Sequence, residues 1–123
     1  MKDNDTNSLT FNKLATINAE RCLAHYHSNL NDWSPTDWGC AVAGEAGELC
    51  NILKKIKRID DGLGQFNKEG ETIQSLFDAA GNEMADVVIY LDLLAQRLGL
   101  NLEHCIKNKF NYNSELIGSS HKL

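Results

Sequence analysis

The stretch "GEAGELCNILKKIKR", residues 44–58, sets two glutamates, Glu45 and Glu48, among glycines, alanines and aliphatic residues. A second stretch, "NEMADVVIYLDLLAQRLG" at 82–99, repeats the device with Glu83 and Asp86. At about 3.6 residues per turn, a spacing of three keeps both acids of a pair on one helical face. In the first stretch and the residues before it, Trp38, Val42, Glu45, Leu49, Ile52, Ile56 and Ile59 form one stripe, with Glu48 and Lys55 at its edge. In the second, Glu83, Asp86, Val87, Tyr90, Leu94 and Leu98 cluster in the same way. Four carboxylates therefore sit on or beside faces that their aliphatic neighbours tend to bury.

The sequence around these stretches reads as helix too. Leu9, Leu14, Ile17, Cys22, Leu23 and Tyr26 suit a first helix ending near His27. "SPTD" is a start signal, with Ser34 as N-cap, Pro35 at the first helical position and Asp37 three residues on. That second helix should run to about Ile59, where Lys54, Lys55, Lys57 and Arg58 suit its negative end. "DDGLGQFNKEGE" is a turn-rich connector. A third helix is expected over roughly 72–98, with a bend at Gly81 and a stop at Gly99, and Asn101 caps a fourth running to about Leu116. Residues 1–8 read as a frayed tail, 9–118 as one domain and 119–123 as a loose end. Four amphipathic segments with short links predict an all-α four-helix bundle.

Composition narrows the functions open to such a chain. With a net charge of −5 and no long basic run, a nucleic-acid polymer is an unsuitable partner. No apolar run approaches the ~18 residues of a membrane span, and the polar opening "MKDNDTNS" lacks a signal-peptide pattern. Cys22, Cys40, Cys50 and Cys105 lie far apart without a CxxC, so reduced, mostly buried thiols in a cytoplasmic protein are expected.

The acids then need a chemical reason. A charged carboxylate on a buried face is costly unless it is paired or binds a metal, and no equal supply of inward cations is evident. Four acids facing one another raise one another's pKa. A hard divalent cation removes that conflict, and all-oxygen ligation suits Mg²⁺ or Mn²⁺. A lone ExxE more often marks a solvated face or lysine salt bridges; two such pairs on apolar stripes are harder to explain that way. A di-iron centre would need Glu-x-x-His on two helices, and His25, His27, His104 and His121 offer no such spacing.

"GEAGEL" followed by "NEMADVVIYLDLLAQRLGL" resembles the ExxE…ExxD signature of the all-α nucleoside triphosphate pyrophosphohydrolases, the MazG-like superfamily. The likeness runs from about Trp33 to Glu115, and "NKFNYNSE" is similar to the final-helix segment of small standalone members. Residues 49–82 separate the two pairs, a longer interval than in compact members, and the connector's extra length is placed to act as a lid or specificity loop. The resemblance implies hydrolysis of the α–β phosphoanhydride of a nucleoside triphosphate, giving the monophosphate and pyrophosphate. It implies Mg²⁺, with Mn²⁺ as substitute, on Glu45, Glu48, Glu83 and Asp86, and Glu45 or Glu48 as the base for water. It also implies phosphate contacts from Lys109 and Asn113 and assembly as a homodimer or a dimer-of-dimers tetramer.

Further positions follow from placement. Lys55 lies near the acidic stripe and is a candidate phosphate contact. Trp38 is either core or a wall for base stacking, and His27 and Trp33 flank the first loop as candidate edges of a base site. Val88 and Ile89 lie well off the stripe of Glu83, Val87 and Leu94, so the third helix has more apolar circumference than one bundle covers. The alternatives are a dUTP- or dCTP-restricted enzyme and a non-catalytic helical regulatory or oligomerisation module.

Overall fold

The computed structural model describes residues 7–123. Four α-helices account for most of the chain: α1 Phe11–His25, α2 Pro35–Asp60, α3 Ile73–Arg97 and α4 Leu102–Leu116. Two single 3-10 turns, Leu30–Asp32 and Gly64–Phe66, lie in the links, and there is no strand among the described residues. Residues 1–6 of the expected tail lie outside the described residues. No helix of the described residues is long and apolar enough to cross a membrane.

The helix boundaries follow from local chemistry. Thr10 starts α1 by accepting a hydrogen bond from the Lys13 amide (3.0 Å), two residues later than the apolar pattern alone indicates. Ser34 and Asp37 form a reciprocal cap. The Ser34 amide donates to Asp37 Oδ2 at 2.9 Å, and the Asp37 amide donates to Ser34 Oγ at 3.2 Å. Thr72 and Ser75 exchange bonds of the same kind at the start of α3. α3 continues as one helix through Gly81. It ends at Gly99, whose φ of 70° is open to glycine and disfavoured for side-chain-bearing residues; the Leu100 amide then folds back to the Ala95 carbonyl (2.8 Å). Asn101 caps α4 through the His104 amide (3.0 Å).

The chain divides into two compact units. One is Trp33–Leu91, holding α2 and most of α3. In it, Trp38 is buried at 1% exposure, with Trp33 on one side (ring centroids 4.7 Å) and Tyr90 on another (6.4 Å). Leu76 and Ala80 complete its buried apolar set. Trp38 faces Tyr90 and Glu45 faces Glu83, so a step of seven down α2 matches seven up α3, and the helices are antiparallel. The connector is fastened to α2 by Asn67, which donates to the Lys55 carbonyl (2.9 Å) and accepts from Arg58 (3.3 Å).

The other unit joins the described residues up to Asp32 with Asp92–Leu123. Its core includes Cys22, Leu93 and Ala95 together with buried Asn18, Asp92 and Ser114. Asn18 of α1 donates to Asp92 Oδ2, and Gln96 donates both to Asp92 Oδ2 (2.9 Å) and to the Ala15 carbonyl (3.0 Å). The closing residues 119–123 have no regular structure, but Leu123 is tied through its backbone to Asn111 of α4 (2.8 Å), and Lys122 pairs with Glu115 (3.2 Å).

The cysteines depart from expectation. All four are free, but only Cys22 is buried; Cys40, Cys50 and Cys105 are exposed. On α2 the reason is periodicity, since Cys40 and Cys50 fall away from the stripe of Trp38, Glu45 and Leu49. Burial pushes the Cys22 thiol up, against a smaller opposing effect of Arg21.

The Ser34 cap makes a stability test. Ser34→Ala removes the acceptor for the Asp37 amide and should cost about 1 kcal/mol in chemical denaturation. An unchanged midpoint would show that α2 does not depend on this cap.

Candidate metal centre

Antiparallel packing of α2 on α3 decides which acids meet. Glu45, Glu83 and Asp86 each offer an oxygen lying within 4.8 Å of the other two. Glu45 and Glu83 are half-buried, and one oxygen of each, Oε2 in both, is sealed from solvent with no hydrogen-bond donor. An unsatisfied buried carboxylate oxygen is unfavourable, and native folds rarely leave one without a cause. Here two occur side by side.

The electrostatics follow. The Glu45 carboxyl is raised from 4.5 to about 7, first by the neighbouring Glu83 carboxyl, then by burial. The charges of Glu48 and Asp86 push the same way. Glu48 itself is exposed and is not one of the three that converge, although it lies near enough to act on Glu45. The expected set of four thus separates into a convergent trio and one neighbour open to water.

Three closely spaced carboxylates, two of them with a sealed, donor-free oxygen, fit a hard divalent cation. The donor set is all oxygen, and a cation would satisfy the orphaned lone pairs and relieve the mutual repulsion.

The remaining sequence candidates are placed differently. Lys55 is held by Glu71 of the connector at 3.0 Å, with both side chains largely covered. Glu71 attracted no notice in the sequence because its partner lies sixteen residues away, across a turn-rich stretch. Trp38 is enclosed between other rings, so the core role describes it and no ring face is left for a base; Trp33 is the less buried of the two. Tyr90 is half-buried against Trp38. His27 is half-buried after α1, and Lys109 and Asn113 are exposed on α4; all three belong to the other unit. The Lys109 ammonium stands over the Tyr112 ring at 5.0 Å. Asp92, which sequence reasoning passed over, is the most buried acid that the structure describes. Its one signal was a charge inside the run "VVIYLDLLA".

The chain matches no protein-family model, and no curated protein matches its sequence.

The raised Glu45 pKa predicts how the metal-free chain responds to pH. Folded, Glu45 keeps its proton up to about pH 7, whereas unfolded it releases it near 4.5. Between those values the folded state binds more protons, so stability from this group falls as pH rises, and the loss is complete above the folded pKa. In chelator, the melting temperature should drop across this window, and Glu45→Gln should flatten the drop. A variant with the unchanged slope would assign the titration elsewhere.

Proposed function

We propose that the chain is a Mg²⁺-dependent nucleoside triphosphate pyrophosphohydrolase of the all-α, MazG-like type, acting in the cytoplasm on nucleotides. The reading rests on the convergence of Glu45, Glu83 and Asp86 with two sealed oxygens lacking donors. The double acidic motif and the all-helical architecture support it.

In this reading Glu45, Glu83 and Asp86 hold the metal. Bound there, Mg²⁺ supplies Lewis-acid charge to the phosphate oxygens and to the attacking water. Glu48 is exposed beside Glu45, so it remains free to orient that water and accept its proton as general base. Water adds to the α-phosphorus, the bond to the α–β bridging oxygen breaks, and pyrophosphate leaves with that oxygen. Lys55 lies two helical turns beyond Glu48, roughly 10 Å along the axis, and its ammonium would exchange Glu71 for a phosphate oxygen. Lys109, Asn113 and His27 enter only through the resemblance and their placement in the sequence.

The two acidic roles are separable. Glu83→Gln should lower pyrophosphate release from a panel of nucleoside triphosphates by at least ~10²-fold and weaken Mn²⁺ binding. Glu48→Gln should lose comparable turnover while keeping its Mn²⁺ affinity. Full activity after exhaustive chelation, or in the Glu83 variant, would overturn the assignment. The same panel reads base preference.

A homodimer or dimer of dimers goes with this function. On α3, Ile73, Phe77, Met84 and Val88 fall along one side of the helix, and all four are exposed. On α2, Gly44 and Gly47 lie in the helix interior, and a Cβ at either would meet nothing within 4 Å. Glycine costs about 1 kcal/mol per helix-interior position relative to alanine, and among the described residues no neighbour requires it there. Close approach of a second helix would explain both. Light scattering should give a mass above the 13.7 kDa of one chain, and Phe77→Glu should reduce it. A fully active species at the monomer mass would contradict the assembly.

A further inference from the structure

The unit built from α1, the end of α3 and α4 contains a cavity of about 580 Å³. None of the acids proposed to hold metal lines it. Phe11, Leu100 and Leu102 give it an apolar side, and Asp92, Gln96 and Glu103 a polar one. Among the described residues its lining includes two acids and no lysine, arginine or histidine.

Asp92 is the unusual member. Its residue is only 3% exposed, and both hydrogen bonds it accepts among the described residues, from Asn18 and Gln96, fall on Oδ2. Those donors are neutral amides, so the charge has hydrogen bonds but no counter-ion among the described residues. Oδ1 receives no donor among the described residues. The oxygens sealed from solvent without a donor are Glu45 Oε2 and Glu83 Oε2, and Asp92 Oδ1 is not one of them. Among the described residues nothing is shown to seal it, and Asp92 itself lines the cavity.

The start of α4 adds to the same preference. α3 finishes at the cavity, though the Leu94, Ala95 and Gln96 carbonyls there already accept from the Leu98, Leu100 and Gly99 amides. α4 begins there as well, but the Asn101 side chain takes the His104 amide and Glu103 sits in the first turn, which together blunt any attraction for an anion. A buried charge with an open lone pair beside apolar walls selects a cationic donor.

We propose that this cavity binds a small organic cation, a primary ammonium or guanidinium on a short apolar body. The charged head donates to Asp92 Oδ1 and is drawn by Glu103, while the apolar part packs on Phe11, Leu100 and Leu102. The site is independent of hydrolysis, and its test does not depend on that reading.

The test is amide-resolved NMR on the full chain, titrated with benzylammonium and, in parallel, with neutral benzyl alcohol of similar shape. Benzylammonium should produce saturable shifts at Phe11, Leu100 and Glu103 in the millimolar range or below. Benzyl alcohol should bind at least ~10-fold more weakly, because it lacks the charge-assisted bond. Glu103→Gln, at an exposed position, should weaken benzylammonium by roughly three-fold, and Asp92→Asn should bring it to the level of the alcohol. If Asp92→Asn fails to fold, the comparison of the two probes and the Glu103 variant decide the matter. No saturable shift, equal binding of the two probes, or unaltered affinity in Glu103→Gln would overturn the proposal.

Discussion

The mutual repulsion of carboxylates between α2 and α3 is the constraint on which the rest depends. Glu45 and Glu83 bring oxygens into a half-buried space without donors, and Asp86 adds its charge beside them. Such an arrangement persists only where the surrounding structure holds the helices in place. Around it the chain does so repeatedly. Trp38 is enclosed between Trp33 and Tyr90, Ser34 and Asp37 close the start of α2, and Asn67 fastens the connector to its far end. These contacts favour the α2–α3 packing that brings the acids together. Their position between two braced ends of α2 is what makes the unfavourable centre tolerable.

A second buried acid shows what a structural carboxylate looks like in the same chain. Asp92 is more deeply covered than Glu45, yet two side-chain amides donate to its Oδ2, and that of Asn18 joins α1 to α3. Glu45 has no such donors at its sealed oxygen, and its carboxyl holds a proton to about 7. The contrast is one of partners rather than depth. Donors let Asp92 Oδ2 tie helices together, whereas the sealed oxygens of Glu45 and Glu83 have none.

The helices were legible in the sequence because their signals are local. Ser34, Pro35, Gly99 and Asn101 each act within one turn of where they stand, and the elements begin or end at them. Thr10 is an equally local cap but lay behind Leu9, which extended the apolar pattern past the true start. The pairing of Glu45 with Glu83 could be expected from two stripes of the same kind, since buried faces must meet something. Glu48 was harder to place, because a residue at the edge of a stripe turns inward or outward with small rotations of the helix. Lys55–Glu71 and Asn18–Asp92 join residues sixteen and seventy-four positions apart, and no local pattern announces them. The aromatic rings were ambiguous for a related reason: a tryptophan on an apolar stripe can line a cleft or fill a core. Only the neighbours, here Trp33 and Tyr90, decide that Trp38 fills one.

The apolar accounting gives the last step. Trp38 is the one large side chain fully enclosed among the described residues, whereas Phe77, Met84 and Val88 on α3 stay exposed. Single exposed apolar residues are ordinary, but a row along one helix loses the stabilisation that burial would bring, about 25 cal/mol per Å². Helix-interior glycines on α2 reduce stability further without serving a contact within the chain. Both features act against an isolated chain that already holds repelling acids at its centre. Association would bury the row on α3 and use the room beside Gly44 and Gly47, supplying stability at the helices that carry those acids. On the proposed reading, assembly and cation binding therefore support the same helix pair, one by covering its outer faces and the other by neutralising its interior.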